Sequence, residues 1–141
     1  MATILCIDDE NSLLEMESAL LESNGYNVFT ASDGPAGIAL ARKLVIDAVL
    51  LDLNMPGMDG SQVAKILIEE QPKLRIVIRS GFPDQIPEAL KWFADAVLYK
   101  GDGPDALLSV LERLLGGKNT PMKAPAREIC RAPLSHVPPA A

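Results

Sequence analysis

The chain has 141 residues, 48% of them hydrophobic and only 4% aromatic, enough for one domain with a full aliphatic core. Its net charge is −6, although Lys118, Lys123, Arg127 and Arg131 meet a single acid, Glu128, after residue 117, so the preceding part is more acidic still and would repel nucleic-acid phosphates. Two cysteines, Cys6 and Cys130, make neither a disulfide framework nor a zinc pattern, no apolar run is long enough to span a membrane, and the first one stops at Asp8, too early for a signal peptide; the expected location is the cytoplasm.

Taken in chain order, short β-type runs alternate with helical patterns. The first run, Thr3–Ile7, carries Cys6 as a small hydrophobe and ends in Asp8-Asp9-Glu10. A helix follows, with Leu13, Met16, Leu20 and Leu21 expected inward, Glu15, Glu17 and Glu22 outward, and Gly25 as its stop. The second strand is Asn27–Ala31, and the second helix spans 35–43 with proline at its first position. The third strand, Ala48–Asp52, ends on an aspartate and runs into the turn-formers Asn54, Pro56, Gly57 and Gly60. A helix over 61–70 turns Val63, Ile66 and Leu67 inward. The fourth strand, Arg75–Ser80, carries an odd charge at Arg79, to be snorkelled or paired with an acid. Pro83 and Pro87 confine the fourth helix to about 84–93. The fifth strand covers 96–100, and the last helix starts near Pro104, buries Leu107, Val110, Leu111 and Leu114, and stops at Gly116-Gly117. Residues 1–117 thus form one domain. The proline-rich remainder, 118–141, has neither helical nor strand period and reads as a flexible tail.

The strands are nearly continuous in Val, Ile and Leu, as expected when both faces of a sheet are covered. Five alternating βα units imply an α/β fold: a doubly wound, five-stranded parallel sheet, with strand order 2-1-3-4-5. In such sheets ligands bind beyond the carboxyl ends of the strands, where the order reverses. Here that point lies between strands 1 and 3, which brings Asp8, Asp9 and Asp52 together. Three carboxylates at one place repel one another. A hard divalent cation relieves the conflict, and an all-oxygen set without Cys or His points to Mg²⁺ rather than zinc. Strand 4 adds the Ser80 hydroxyl beside Gly81, and strand 5 adds the Lys100 ammonium. Together they make an anion cradle that suits a phosphoryl group, with Asp52 held at a strand tip as nucleophile. Each residue alone has a blander reading: strand-end aspartates form turns or cap helices, and a single lysine is usually a solvated charge. Their joint position on one rim favours the site.

The segments "ILCIDDE", "LLDLNMPGMDG", "IVIRSG" and "LYKGD", in this order over roughly residues 2 to 116, resemble the receiver domain of two-component response regulators, whose fold is flavodoxin-like. The resemblance implies that Asp52 is the phosphoacceptor, forming a 4-aspartylphosphate with the phosphoryl of a histidine kinase's phosphohistidine or of a phosphotransfer protein. It implies that Asp9 binds Mg²⁺ directly, Asp8 largely through water, and Asn54 through its backbone carbonyl. Ser80 and Lys100 would bind phosphoryl oxygens. Such a domain phosphorylates and dephosphorylates itself; it is not a multiple-turnover enzyme in the usual sense. Output would come from a shift of Ser80 and an inward swing of an aromatic on strand 5, reshaping the face of helix 4, strand 5 and helix 5, where homodimerisation also stays open.

The sequence departs from that pattern. The usual switch aromatic, three residues before the lysine, is Val97 here; Tyr99, two residues on and on the same strand face, is expected either to substitute for it or simply to pack. The proline that often follows the lysine is replaced by Gly101. Phe82 and Asn54 flank the family's route for hydrolytic water, and Phe82 is expected either to hinder that water or simply to pack. Trp92 and Lys91 are the exposed candidates on an unusual output face. Three functions remain in competition at this point. One is a phosphorylatable receiver that docks to an unnamed downstream protein, as in chemotaxis-type or phosphorelay receivers, or a receiver cut from a longer regulator. The second is a non-phosphorylated interaction module on the same fold. The third, an aspartyl-phosphate phosphatase of another α/β family, would need more chain for a cap. A dinucleotide site fails because strand 1 leads into "DDEN" without a glycine loop.

Overall fold

Each of the five aliphatic runs forms a strand in the computed structural model, which describes residues 2–81 and 86–115. The elements are β1 (Thr3–Ile7), α1 (Asn11–Ser23), β2 (Asn27–Ala31), α2 (Gly34–Lys43), β3 (Ala48–Asp52), α3 (Gly60–Glu70), β4 (Arg75–Ser80), α4 (Glu88–Phe93), β5 (Ala96–Tyr99) and α5 (Pro104–Leu115). All strand pairs are parallel and the order is β2-β1-β3-β4-β5. The helices divide between the two faces. Leu14 and Leu21 of α1 and Leu107, Val110 and Leu111 of α5 pack on Ile4, Cys6, Leu50, Val77 and Leu98. Helices α2, α3 and α4 cover the opposite face, where Ile38, Ala41, Val63, Leu67 and Leu90 meet Leu5, Ile7, Val49, Leu51, Ile78 and Val97.

Helix starts follow local chemistry. Asp33 caps α2 by accepting from the Ala36 N–H at 2.8 Å. Asp59 caps α3 in a reciprocal box with Gln62, each side chain accepting from the other's backbone N–H at 3.1 Å. Gly60, the first residue of α3, lies so close to the end of β3 that a Cβ there would stand 2.5 Å from both the Asp52 carbonyl oxygen and Leu53 Cα. Only glycine lets α3 start this near to β3.

Three local expectations are corrected. The inward stripe of α1 is Leu14, Glu17 and Leu21, whereas Met16 is 64% exposed. Glu17 is buried because it ion-pairs with Arg79 of β4, itself buried; the attraction offsets part of the cost of taking either charge out of water. Strand β2 sits at the sheet edge and is mostly exposed, so only the other four strands are covered on both faces. Strand β5 ends at Tyr99, not at residue 100. The Asp102 carboxylate accepts from the Tyr99 N–H at 3.0 Å and curls Lys100–Asp102 into a 3-10 turn. Helix α4 is described from Glu88 onward. Phe82, Pro83, Asp84 and the expected tail 118–141, with Cys130, lie outside the described residues.

Candidate functional site

Alternation along the strands places the site. Cys6, Leu50, Val77 and Leu98 face α1 and α5, so the positions two residues on, Asp8, Asp52, Arg79 and Lys100, continue the same face at the carboxyl rim. Asp8 and Asp52 are buried, at 3% and 2% exposure, while Asp9 is exposed. One carboxylate oxygen from each of Asp8, Asp9 and Asp52 lies within 4.8 Å of the others. The three acids that strands 1 and 3 were expected to bring together are therefore one cluster.

Lys100 reaches back over it. Its Nζ stands 3.2 Å from Asp52 Oδ1 and 3.6 Å from Asp8 Oδ2. Backbone donors also hold the acids: the Glu10 N–H donates to Asp8 Oδ1 at 2.9 Å, and the Asn54 N–H donates to Asp52 Oδ1, the oxygen that Lys100 also approaches, at 3.2 Å. Ser80 is fully buried, and its hydroxyl lies 3.5 Å from Asn54 Oδ1, at the outer limit of a hydrogen bond. The strand-4 hydroxyl thus comes up to the β3–α3 loop. Val97 is sealed in the core, and Tyr99 is half-buried against the same cluster.

Burial is the first cause of an unusual Asp52, and the neighbouring Asp8 carboxylate is the second; they push its pKa from 3.8 up to about 6 against the pull of Lys100. Asp52 Oδ2 is buried with no hydrogen-bond partner among the described residues. A half-satisfied buried carboxylate next to two more is the situation that a bound cation resolves. The all-oxygen donor set fits Mg²⁺ chemistry.

Two buried charges escaped a reading of the sequence as a site: Glu17, taken for a surface residue, and Arg79, whose partner was unknown. The available signal was spacing. Glu17 lies three residues after Leu14 and four before Leu21, inside the buried stripe.

With this geometry established, comparison with known proteins identifies the family. The response regulator receiver domain model matches residues 4–112, and the chain belongs to that family. Among curated relatives, the nitrate/nitrite response regulator protein NarL of Escherichia coli K12 is 39% identical over 121 residues, 83% of this chain and 56% of NarL. The chain thus spans little more than half the length of that relative. Among solved structures, the response regulator TrrA from Thermotoga maritima, in complex with Mg²⁺-BeF, aligns with a TM-score of 0.77 at 28% identity, covering 82% of this chain and 100% of TrrA. TrrA in complex with the histidine kinase ThkA aligns with a TM-score of 0.75 at 28% identity, covering 82% of this chain and 99% of that one.

Proposed function

We propose that the chain is a phosphoryl-accepting receiver that takes phosphate from a histidine kinase or phosphotransfer protein onto Asp52, with Mg²⁺, and signals by docking to a partner protein in the cytoplasm. The observation that carries this reading is the juxtaposition of Asp52, the Asp8 and Asp9 carboxylates and the Lys100 ammonium at one strand rim. Relatives support it. TrrA is solved with Mg²⁺-BeF, whose fluoroberyllate resembles a phosphoryl group, and with a histidine kinase.

In this reading Asp8, Asp9 and Asp52 hold the cation, together with the Asn54 backbone carbonyl. The ion supplies charge neutralisation for the phosphoryl oxygens. An Asp52 carboxylate oxygen attacks the phosphorus of the phosphohistidine. The P–N bond breaks, and its electron pair stays on the imidazole nitrogen. Lys100, already 3.2 Å from Asp52 Oδ1, moves to a phosphoryl oxygen, and the Ser80 hydroxyl donates to another. Catalysis of this kind is positioning and charge stabilisation, which a rigid rim of strand ends provides.

Tyr99 rather than Val97 is the side chain with room to report the modification, since Val97 is 2% exposed. Tyr99 ring resonances should shift when Mg²⁺ and fluoroberyllate are added; ring signals that stay in place would dismiss this role.

The test of phosphorylation is incubation with Mg²⁺ and acetyl phosphate, read by intact mass. One phosphoryl adduct is expected in the wild type and none in Asp52→Asn. A wild type that stays unmodified favours the non-phosphorylated interaction module.

A further inference from the structure

The buried Glu17–Arg79 pair sits directly beside the acid cluster. Arg79 is the ladder neighbour of Asp52, and the two side chains share the face toward α1 and α5. The Arg79 carbonyl accepts from the Leu53 N–H at 2.9 Å, which fixes the chain just after Asp52, and Ser80 is the next residue of β4. Glu17 reaches Arg79 from the middle of α1. Both side chains are at least nine-tenths buried. Burial pulls the Arg79 guanidinium below its usual range, and the strongest charge opposing that shift is Asp8, followed by Cys6 and Asp102. Arg79 is thus the member of the pair that interacts with an acid of the cluster, Asp8, while Glu17 meets Arg79 from α1.

A buried ion pair is a poor way to hold a helix on a sheet. Desolvating two charges costs about as much as their attraction returns, and apolar side chains of the same size would pack at least as well. Elsewhere the α1–sheet contact is made by Leu14 and Leu21 on aliphatic strand residues. What the pair adds is a buried charge on the strand next to Asp52 that interacts with Asp8.

We propose that Glu17 and Arg79 are positioning residues that set the Mg²⁺ affinity of the Asp8–Asp9–Asp52 cluster electrostatically: Arg79 offsets part of the acids' charge, and Glu17 limits how much. The inference rests on the receiver reading for the identity of the cation. Its signature is a sign. Glu17→Gln leaves the Arg79 charge uncompensated, so it weakens Mg²⁺ binding. Arg79→Gln removes a positive charge and tightens it. Each shift should be about tenfold, because charges this deeply buried are poorly screened. A pair that only held α1 on β4 would weaken binding in both variants, since either loss loosens the same contact.

The experiment is calorimetric titration of the full chain with Mg²⁺ alone, for the wild type, Glu17→Gln, Arg79→Gln and Glu17→Asp. The last keeps the charge and shortens the side chain, and it supplies the answer if Arg79→Gln does not fold. Weaker binding in Glu17→Gln with tighter binding in Arg79→Gln, or near-wild-type affinity in Glu17→Asp beside weakened binding in Glu17→Gln, supports the proposal, and the reversed pair of shifts overturns it. Affinity that falls in both glutamine variants, does not move in either, or falls more in Glu17→Asp than in Glu17→Gln overturns it. A wild type that binds no Mg²⁺ overturns the proposed Mg²⁺-dependent phosphoryl acceptance and this inference together, whereas a wild type that binds Mg²⁺ normally confines any failure to the inference.

Discussion

Asp52 is the residue whose environment says most. Its folded-state pKa of about 6 lies above the ordinary 3.8, so without metal the folded protein holds the Asp52 proton more tightly than the unfolded chain does. The stability linked to this proton is fully present below about pH 4 and is lost as pH rises through about 6. Asp52→Asn removes the buried charge and should therefore stabilise the metal-free protein by roughly 1–3 kcal/mol at pH 7, with the gain closing below about pH 4. Urea unfolding in chelator at both pH values checks this; an equal gain at both would dissociate it from ionisation. At this scale the sequence was readable wherever a polar residue ended an aliphatic run. Asp8 and Asp52 directly follow or close such runs, and Lys100 directly follows β5. Glu17 was not readable in this way, because charge outweighs helical spacing when a residue is judged alone. Its partner lies 62 positions away on β4, a distance no local pattern spans.

At the scale of elements, the site depends on how α3 is seated. The Asp59–Gln62 box starts the helix, and the Gly60 N–H donates to the Leu53 carbonyl at 3.0 Å, so α3 begins against the backbone that carries Asp52. Gly60→Ala would press a methyl onto backbone atoms that cannot rotate away. We expect a loss of about 1–3 kcal/mol in unfolding free energy, together with slower acyl-phosphate formation, because the Asp52 carbonyl is what the methyl meets. Thermal unfolding and adduct kinetics measure the two; a variant with full stability and full rate would show that the close approach is unimportant. The strand spans were legible because aliphatic runs bounded by turn-formers leave little choice. The end of β5 was not, since the Asp102 hydrogen bond that curls Lys100–Asp102 uses a side chain three residues downstream. The exposure of β2 was not either. Edge position alone does not decide it, since β5 is the other edge strand and is buried, and Val28 and Phe29 look like any buried pair in the sequence.

For the whole molecule, strand order is what turns separate acids into one cluster. Asp8 and Asp52 lie 44 positions apart, yet β1 and β3 are neighbours only because the chain crosses over between them. That order was inferable from the count of βα units and the right-handed crossover rule. Because the cluster exists only in the folded state, Mg²⁺ should stabilise the protein by about 2.7 kcal/mol at a hundredfold excess over its Kd. Denaturant midpoints with and without chelator measure the effect, and an unchanged midpoint would argue against a cation at this rim. The most direct measurement is the location of the phosphoryl group. After acetyl phosphate treatment, borohydride reduction converts an aspartyl phosphate into homoserine, which peptide mass spectrometry places in the sequence. Homoserine at position 52, formed with Mg²⁺ and lost in chelator, is the expected result; label at Asp8 or Asp9 instead, or equal label at Asp52 without the metal, would contradict it.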